Sequence, residues 1–258
     1  MQSIQIPFNE HYFDEQGQSG IFDGQGRVFK CLLDNEPVYV KKSEKSKRRI
    51  GHKMQSVLYK IFKDPILIPT VLGKGEDDIR FQVDKMRRLK QNGIRVPEVI
   101  YVCPDYFIMA DGGECVKDYL KKHPEQTDSV LARSCCEMAK LHMKNFVHGG
   151  AQIKNFVIKN GVVSLIDFEE KILPEHVEAF KVRDMLVFLL SLERCRFHAD
   201  IKRLCRLYEQ MTAVDMYGEI KRFFKKYRWL SFLNGRLFRF LRMNDVRAFL
   251  NLMKRFDA

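Results

Sequence analysis

Residues 148–170 read HGGAQIKNFVIKNGVVSLIDFEE. The centre of this stretch is a β-hairpin. Phe156-Val157-Ile158 and Val162-Val163-Ser164-Leu165-Ile166 are apolar strands, and Asn160-Gly161 between them is a hairpin-turn dipeptide. The hairpin puts Asn155 and Asp167 at its two open ends, so their side chains can converge on one point. An amide oxygen and a carboxylate are hard oxygen ligands, suited to Mg²⁺ with phosphate oxygens completing the shell. An aspartate directly after an apolar strand is costly to bury without a partner, so a metal or helix-cap role is expected for Asp167.

Outward from the hairpin, the chain changes character near Ala110-Asp111-Gly112-Gly113. After it, the pattern is mostly helical. Cys115 to Lys122 predicts a short helix, Ser129 to Phe146 a long one with Thr127-Asp128-Ser129 as N-cap residues, and the chain from Glu178 onward is helical. Before it, Val28 to Leu33 and Val38 to Lys41 predict strands around an Asp34-Asn35-Glu36 turn, punctuated upstream by Gly20, Gly24 and Gly26. Ile79, Val83, Met86 and Leu89 have helical spacing within Asp78 to Gln91, with Gly93 to stop that helix and Pro97 to block its continuation. Arg48 to Phe62 also predicts a helix, and Val99–Val102 and Tyr106–Met109 two paired strands. The expected class is α+β, with a strand-rich lobe over residues 1–110, a helical lobe over 111–258 and a ligand cleft between them.

Composition narrows the partners. The chain has 258 residues, 45% apolar and 30% charged, which suits a folded domain with a sizeable core. Its formal net charge of +12 is uneven: residues 201–258 hold 14 Lys+Arg against 5 Asp+Glu. No apolar run approaches the ~18 residues that span a bilayer, and the N-terminal stretch lacks the pattern of a secretory signal. Seven cysteines without metal-ligand spacing suggest a reducing compartment. The expectation is a cytoplasmic protein.

The loop with His148, Asn155 and Asp167-Phe168, together with Val38-Tyr39-Val40-Lys41, resembles the protein-kinase-like superfamily. More narrowly it resembles the bacterial lipopolysaccharide kinases, the core heptose and Kdo kinases. That likeness rests on His148-Gly149, Leu165 to Glu170, the run from Leu89 through Gly93 to Val99, and Arg183 to Leu192. The resemblance implies a bilobal kinase-like fold with a small antiparallel β lobe. It implies ATP and Mg²⁺ as cofactors, with Lys41 on the α/β-phosphates and Asn155 and Asp167 on the metal. Asp184 would brace the catalytic loop by accepting backbone N–H bonds, and His148 would pack and hydrogen-bond there. Ile108 to Asp111, including Met109, would receive the adenine, and Gly24 and Gly26 would let backbone N–H groups approach phosphate.

Two departures from that pattern stand out. The family places an aspartate two residues after the loop histidine, where it orients the acceptor hydroxyl and takes its proton; here the residue is Gly150. The helix glutamate that pairs with the strand lysine falls at Gln82, which can accept a hydrogen bond from Lys41 but gives no ion pair. Gln152 could orient an acceptor instead, and Glu169 could act as the acid/base group. The expected function is therefore an atypical phosphotransferase to a hydroxyl of lipopolysaccharide core sugar or a related envelope glycolipid. A pseudokinase that binds nucleotide and acts as a regulator or scaffold is the alternative, and an atypical protein or small-molecule kinase a third reading. The stretch Lys221 to Leu230 interleaves aromatics with cations, and Arg236, Arg239 and Arg242 follow at i+3 spacing. It reads either as core-packed helices with solvated basic faces or as a surface for anionic lipid at the inner face of the inner membrane. Nucleic acid ranks below both, because no RNA or DNA motif is present.

Overall fold

The structure is a computed structural model and describes residues 5–6, 26–43, 63–68, 71–72, 76–229 and 243–257. The helix expected over Arg48 to Phe62, Gly20 and Gly24, and Arg236, Arg239 and Arg242 lie outside the described residues.

The N-terminal part is a five-stranded sheet in the order β1-β2-β3-β6-β5. Its strands are β1 (Gln5–Ile6), β2 (Val28–Leu33), β3 (Glu36–Lys42), β5 (Val99–Val102) and β6 (Tyr106–Ala110). The pairings are antiparallel except for β1 on β2, a parallel pair at the edge. Asp34 and Asn35 both have positive φ, the conformation that matches a two-residue turn to the twist of its strands. Helix α1 (Glu76–Gln91) buries Ile79, Val83, Met86 and Leu89, one stripe at 3.6-residue spacing, and ends where Ile94 N–H returns to the Leu89 carbonyl. That stripe packs with Phe107 and Met109, whereas Ile108, Val38, Val40 and Cys31 form a second cluster on the other sheet face. The alternation along β6 is thus the pleat of a strand covered on both sides.

The C-terminal part is helical around one small sheet. Its elements are β7 (Glu114–Cys115), α2 (Val116–Lys122), α3 (Thr127–Met143), β8 (Phe156–Lys159), β9 (Val162–Leu165), α4 (Val177–Cys195), α5 (Ile201–Thr212), α6 (Met216–Lys226) and α7 (Met243–Asp257). The hairpin β8–β9 gains a third strand, β7, whose second residue, Cys115, was expected to open the helix. Thr127-Asp128-Ser129 do not cap α3. A 3-10 turn over Pro124–Gln126 runs straight into the helix, and the Thr127 and Ser129 hydroxyls donate backward to the Pro124 and Gln126 carbonyls. Helix α4 is buried nearly all round, from Phe180 through Phe188 to Leu192, and is the central post of this half.

Among the described residues, several contacts join the halves. Lys30 Nζ lies 2.7 Å from Asp111 Oδ2. The short strand β4 (Val71–Leu72) pairs with β10 (Glu170–Lys171), and Arg183 donates to the Ile68 carbonyl at 2.9 Å. The fold is α+β and bilobal, of the kinase-like kind. Among the described residues, no helix is long and apolar enough to cross a membrane.

Candidate functional site

Strand β3 delivers Lys41 to the space between the halves. Central pairing with β6 fixes its backbone, and its side chain is 5% exposed. The ammonium lies 2.7 Å from Asp167 Oδ1 and 2.9 Å from Glu169 Oε1. Arg27 Nη2 lies 2.7 Å from the same Glu169 oxygen. Gln82 is buried on α1, but its Nε2 makes no hydrogen bond, and Lys41 takes carboxylates in preference to a neutral amide. Glu169 thus occupies the ion-pair position that the sequence assigned to Gln82. Held by Lys41 and Arg27, it is a partner of the lysine rather than a group turned to an acceptor.

Asp167 follows β9 with φ of 72°, in the left-handed region. Aspartate tolerates that region better than most residues, yet a non-glycine held there is a local cost that clusters at functional sites. Ile166 fixes the turn from both sides: its N–H donates to the Asn155 carbonyl at 3.0 Å, and its own carbonyl accepts from His148 Nε2 at 2.8 Å. Burial opposes the charge on Asp167, but Lys41 outweighs it and holds the carboxyl well below the usual carboxylate range. The side chain keeps 37% of its surface exposed.

The loop before the hairpin is held from behind by α4. Asp184, fully buried, accepts from the His148 N–H at 2.6 Å and the Gly149 N–H at 2.9 Å. His142 Nε2 lies 3.3 Å away, and its other ring nitrogen meets the Tyr208 hydroxyl at 2.7 Å. Burial works against this charge too, and the His142 hydrogen bond and the loop N–H groups pull the Asp184 carboxyl below its ordinary value. His148 stacks on Phe168 at 4.7 Å between ring centres. Its Nδ1 accepts from the Gly150 N–H at 3.3 Å, so the proton sits on Nε2 toward Ile166. Burial pushes its pKa down; Asp184 pulls the other way and Lys85 adds to the drop.

Asn155 is buried at the hairpin's other end. Its Nδ2 donates to the Gly150 carbonyl at 2.8 Å, which leaves Oδ1 as an acceptor. With the exposed part of the Asp167 carboxylate, this is a pair of hard oxygens, and the donor set fits Mg²⁺ completed by phosphate and water. Among the described residues no three of His, Cys, Asp and Glu form a metal cluster, so protein ligands alone do not make a closed site.

The remaining sequence candidates are spread around this centre. Met109 is buried in β6. The Asp111 carboxylate accepts from Lys30 and the Gly113 N–H, and its carbonyl accepts from Lys159 at 3.1 Å. Gly26 stands exposed just before β2, where a Cβ would meet only ordinary contact with the Val28 carbonyl oxygen at 3.9 Å. Gln152 is half-buried, and its N–H returns to the Gly150 carbonyl. Sequence reasoning missed Arg27, His142 and Lys85. Lys85 lies under Phe168, 5.3 Å from the ring centre, and burial lowers its pKa to about 8. It sits on the same helix as Gln82, one turn along, and only the three-dimensional packing singles it out.

Known proteins resemble this chain in part. An uncharacterized protein of Haemophilus influenzae is 26% identical over 151 residues, which is 57% of this chain and 62% of that protein. The KEOPS complex subunit Bud32 of Pyrococcus abyssi is 27% identical over 143 residues, 53% of this chain and 64% of the relative. The chain therefore spans less than two thirds of either relative's length. No protein-family model matches it. The Bud32 likeness and the two-lobe architecture agree with a place in the kinase-like superfamily.

Proposed function

We propose that this protein transfers the γ-phosphoryl group of ATP, taken as its magnesium complex, to a hydroxyl group. The observation that carries the reading is the Lys41–Asp167 ion pair at 2.7 Å, beside a loop braced by Asp184. Phosphoryl transfer asks the protein mainly for positioning and charge stabilisation. Lys41 would turn part of its charge from Asp167 and Glu169 to the phosphates. Asp167 and Asn155 would hold Mg²⁺, which neutralises phosphate oxygens when bound. Asp184 would keep the loop in register so that the acceptor meets the γ-phosphorus in line.

The acceptor in this reading is a lipopolysaccharide core sugar or a related envelope glycolipid, reached at the inner face of the inner membrane. Support comes from the sequence resemblance and from the excess positive charge beyond residue 200. Purified protein with γ-labelled ATP and lipopolysaccharide core should label the core, and Asp167→Ala should abolish the label. Label on proteins or small alcohols alone would reassign the acceptor. Gly150 favours a second reading, a pseudokinase that binds nucleotide and regulates a partner. A thermal shift with Mg·ATP but no turnover would select it, and absence of Mg·ATP binding would reject both.

A further inference from the structure

The glycine pair in the loop is filled from outside. Gly149 has φ of 93°, and a Cβ there would lie 2.7 Å from Glu170 Cβ and 2.9 Å from Glu170 Oε2. At Gly150 a Cβ would lie 3.3 Å from Glu170 Oε1. A side chain at 150 would therefore start against the Glu170 carboxylate, and an aspartate there would crowd it. The glutamate is built into place. Pairing of β10 with β4 sets its backbone opposite Leu72, and Lys85 Nζ reaches its carbonyl at 3.4 Å. Arg183 Nη2 stands 3.6 Å from Oε2, leaving Oε1 on the side of Gly150. Gly150's own carbonyl accepts from Asn155 Nδ2, so the glycine beside this oxygen is tied directly to one of the two candidate metal donors.

Resting on the phosphotransferase reading above, we propose that Glu170 is the acid/base residue of this site, supplying from the segment after Asp167-Phe168 the carboxylate that Gly150 lacks. The Glu170 carboxylate takes the proton of the acceptor hydroxyl. The acceptor oxygen forms the bond to the γ-phosphorus of the nucleoside triphosphate, and the bond from that phosphorus to the β,γ-bridging oxygen breaks. Its electron pair leaves on the nucleoside diphosphate.

The test uses the full chain with Mg·ATP, following γ-phosphate release and transfer to lipopolysaccharide core, with nucleotide-induced thermal shift and unfolding midpoint as readouts beside activity. Glu170→Gln should bind Mg·ATP like the wild type and turn over about 100-fold or more slowly, the usual effect of removing a positioned base. The double variant Gly150→Asp with Glu170→Ala should regain at least tenfold over Glu170→Ala alone, because the carboxylate returns from the other side. Gly150→Asp should also lower the unfolding midpoint much more in the wild-type background than beside Glu170→Ala. A Glu170→Gln protein that binds and turns over normally overturns the role of Glu170 and leaves the phosphotransferase reading standing. A wild type that binds without turnover overturns Glu170 as a base, and one that does not bind removes the parent reading as well.

Discussion

Asp167 and Asp184 are both charged carboxylates at one loop-and-hairpin unit, and they are held in opposite ways. Asp184 has no exposed surface and is surrounded by protein donors: two loop N–H groups and the His142 ring. Asp167 has one ammonium on one oxygen, a strained backbone and more than a third of its side chain open. A carboxylate saturated inside the protein can only hold structure, whereas one left partly open can take a ligand. Exchanging charge for an amide separates the two. Asp184→Asn removes the acceptor of two buried N–H groups and turns an amide donor toward one of them. The expected loss is about 3–5 kcal/mol, the cost of breaking a buried, hydrogen-bonded charge, which for a chain of this size lowers the unfolding midpoint by roughly 10 °C. Asp167→Asn keeps a side chain that tolerates the left-handed region and leaves Lys41 its Glu169 partner. Its stability loss should be clearly smaller than that of Asp184→Asn, because the side chain is 37% exposed and Lys41 keeps a carboxylate partner, while the Mg·ATP thermal shift disappears. Equal unfolding losses in the two variants would erase the distinction.

That contrast marks how far the sequence could be read. Both lobes, the hairpin and its Asn160-Gly161 turn followed from period and turn chemistry, because those signals are local. Asp184 was a candidate through the kinase resemblance, and the apolar run from Met185 to Leu192 that follows it favoured burial. Its partners His148 and Gly149 lie more than thirty residues away and are visible only in the fold. The acidic pair after Phe168 was legible as charge, but not as two separate roles. Strand alternation sends neighbouring side chains to opposite sides, and the sequence does not say which side faces Lys41 and which faces the glycine pair. The strand β7 was missed because a two-residue strand carries no period.

The histidine in the loop sharpens the same comparison through pH. His148 is neutral in the fold, and its pKa is lowered from an ordinary value of 6.5. Below that pH the unfolded chain binds a proton that the fold resists. Stability should therefore fall as pH drops from 6.5 toward the folded pKa, at up to about 1.4 kcal/mol per pH unit. Asp167 and Asp184, lowered from 3.8, act in a separate window, where stability is lost as pH falls below that value. Unfolding midpoints of the wild type and His148→Asn between pH 7 and 5 check this. The variant's curve should be flatter, and parallel curves would refute the assignment of the loss to His148.

A third carboxylate extends the rule to the basic C-terminal helices and gives the smallest effect. Asp64 is buried and saturated: it accepts from Lys226 Nζ at 2.7 Å, the Tyr227 hydroxyl at 2.8 Å and the Ile66 N–H at 3.0 Å. By the same logic it is a brace, tying the segment before α1 to the end of α6. Lys226 then belongs to the fold, and only its neighbours remain for an anionic partner. Lys226→Gln should lower stability by about 1 kcal/mol or less, since that lysine is half exposed and Asp64 keeps two donors. Lys225→Gln with Arg228→Gln should leave the midpoint nearly unchanged, because the Arg228 side chain is 70% exposed and its 3.9 Å approach to Asp257 lies at the surface. If these cations serve a membrane, that double variant should weaken binding to anionic liposomes and spare Mg·ATP binding. If liposome binding is absent or unchanged, the charge on this face is a solvated surface, and the positive excess beyond residue 200 no longer argues for a lipid-linked acceptor.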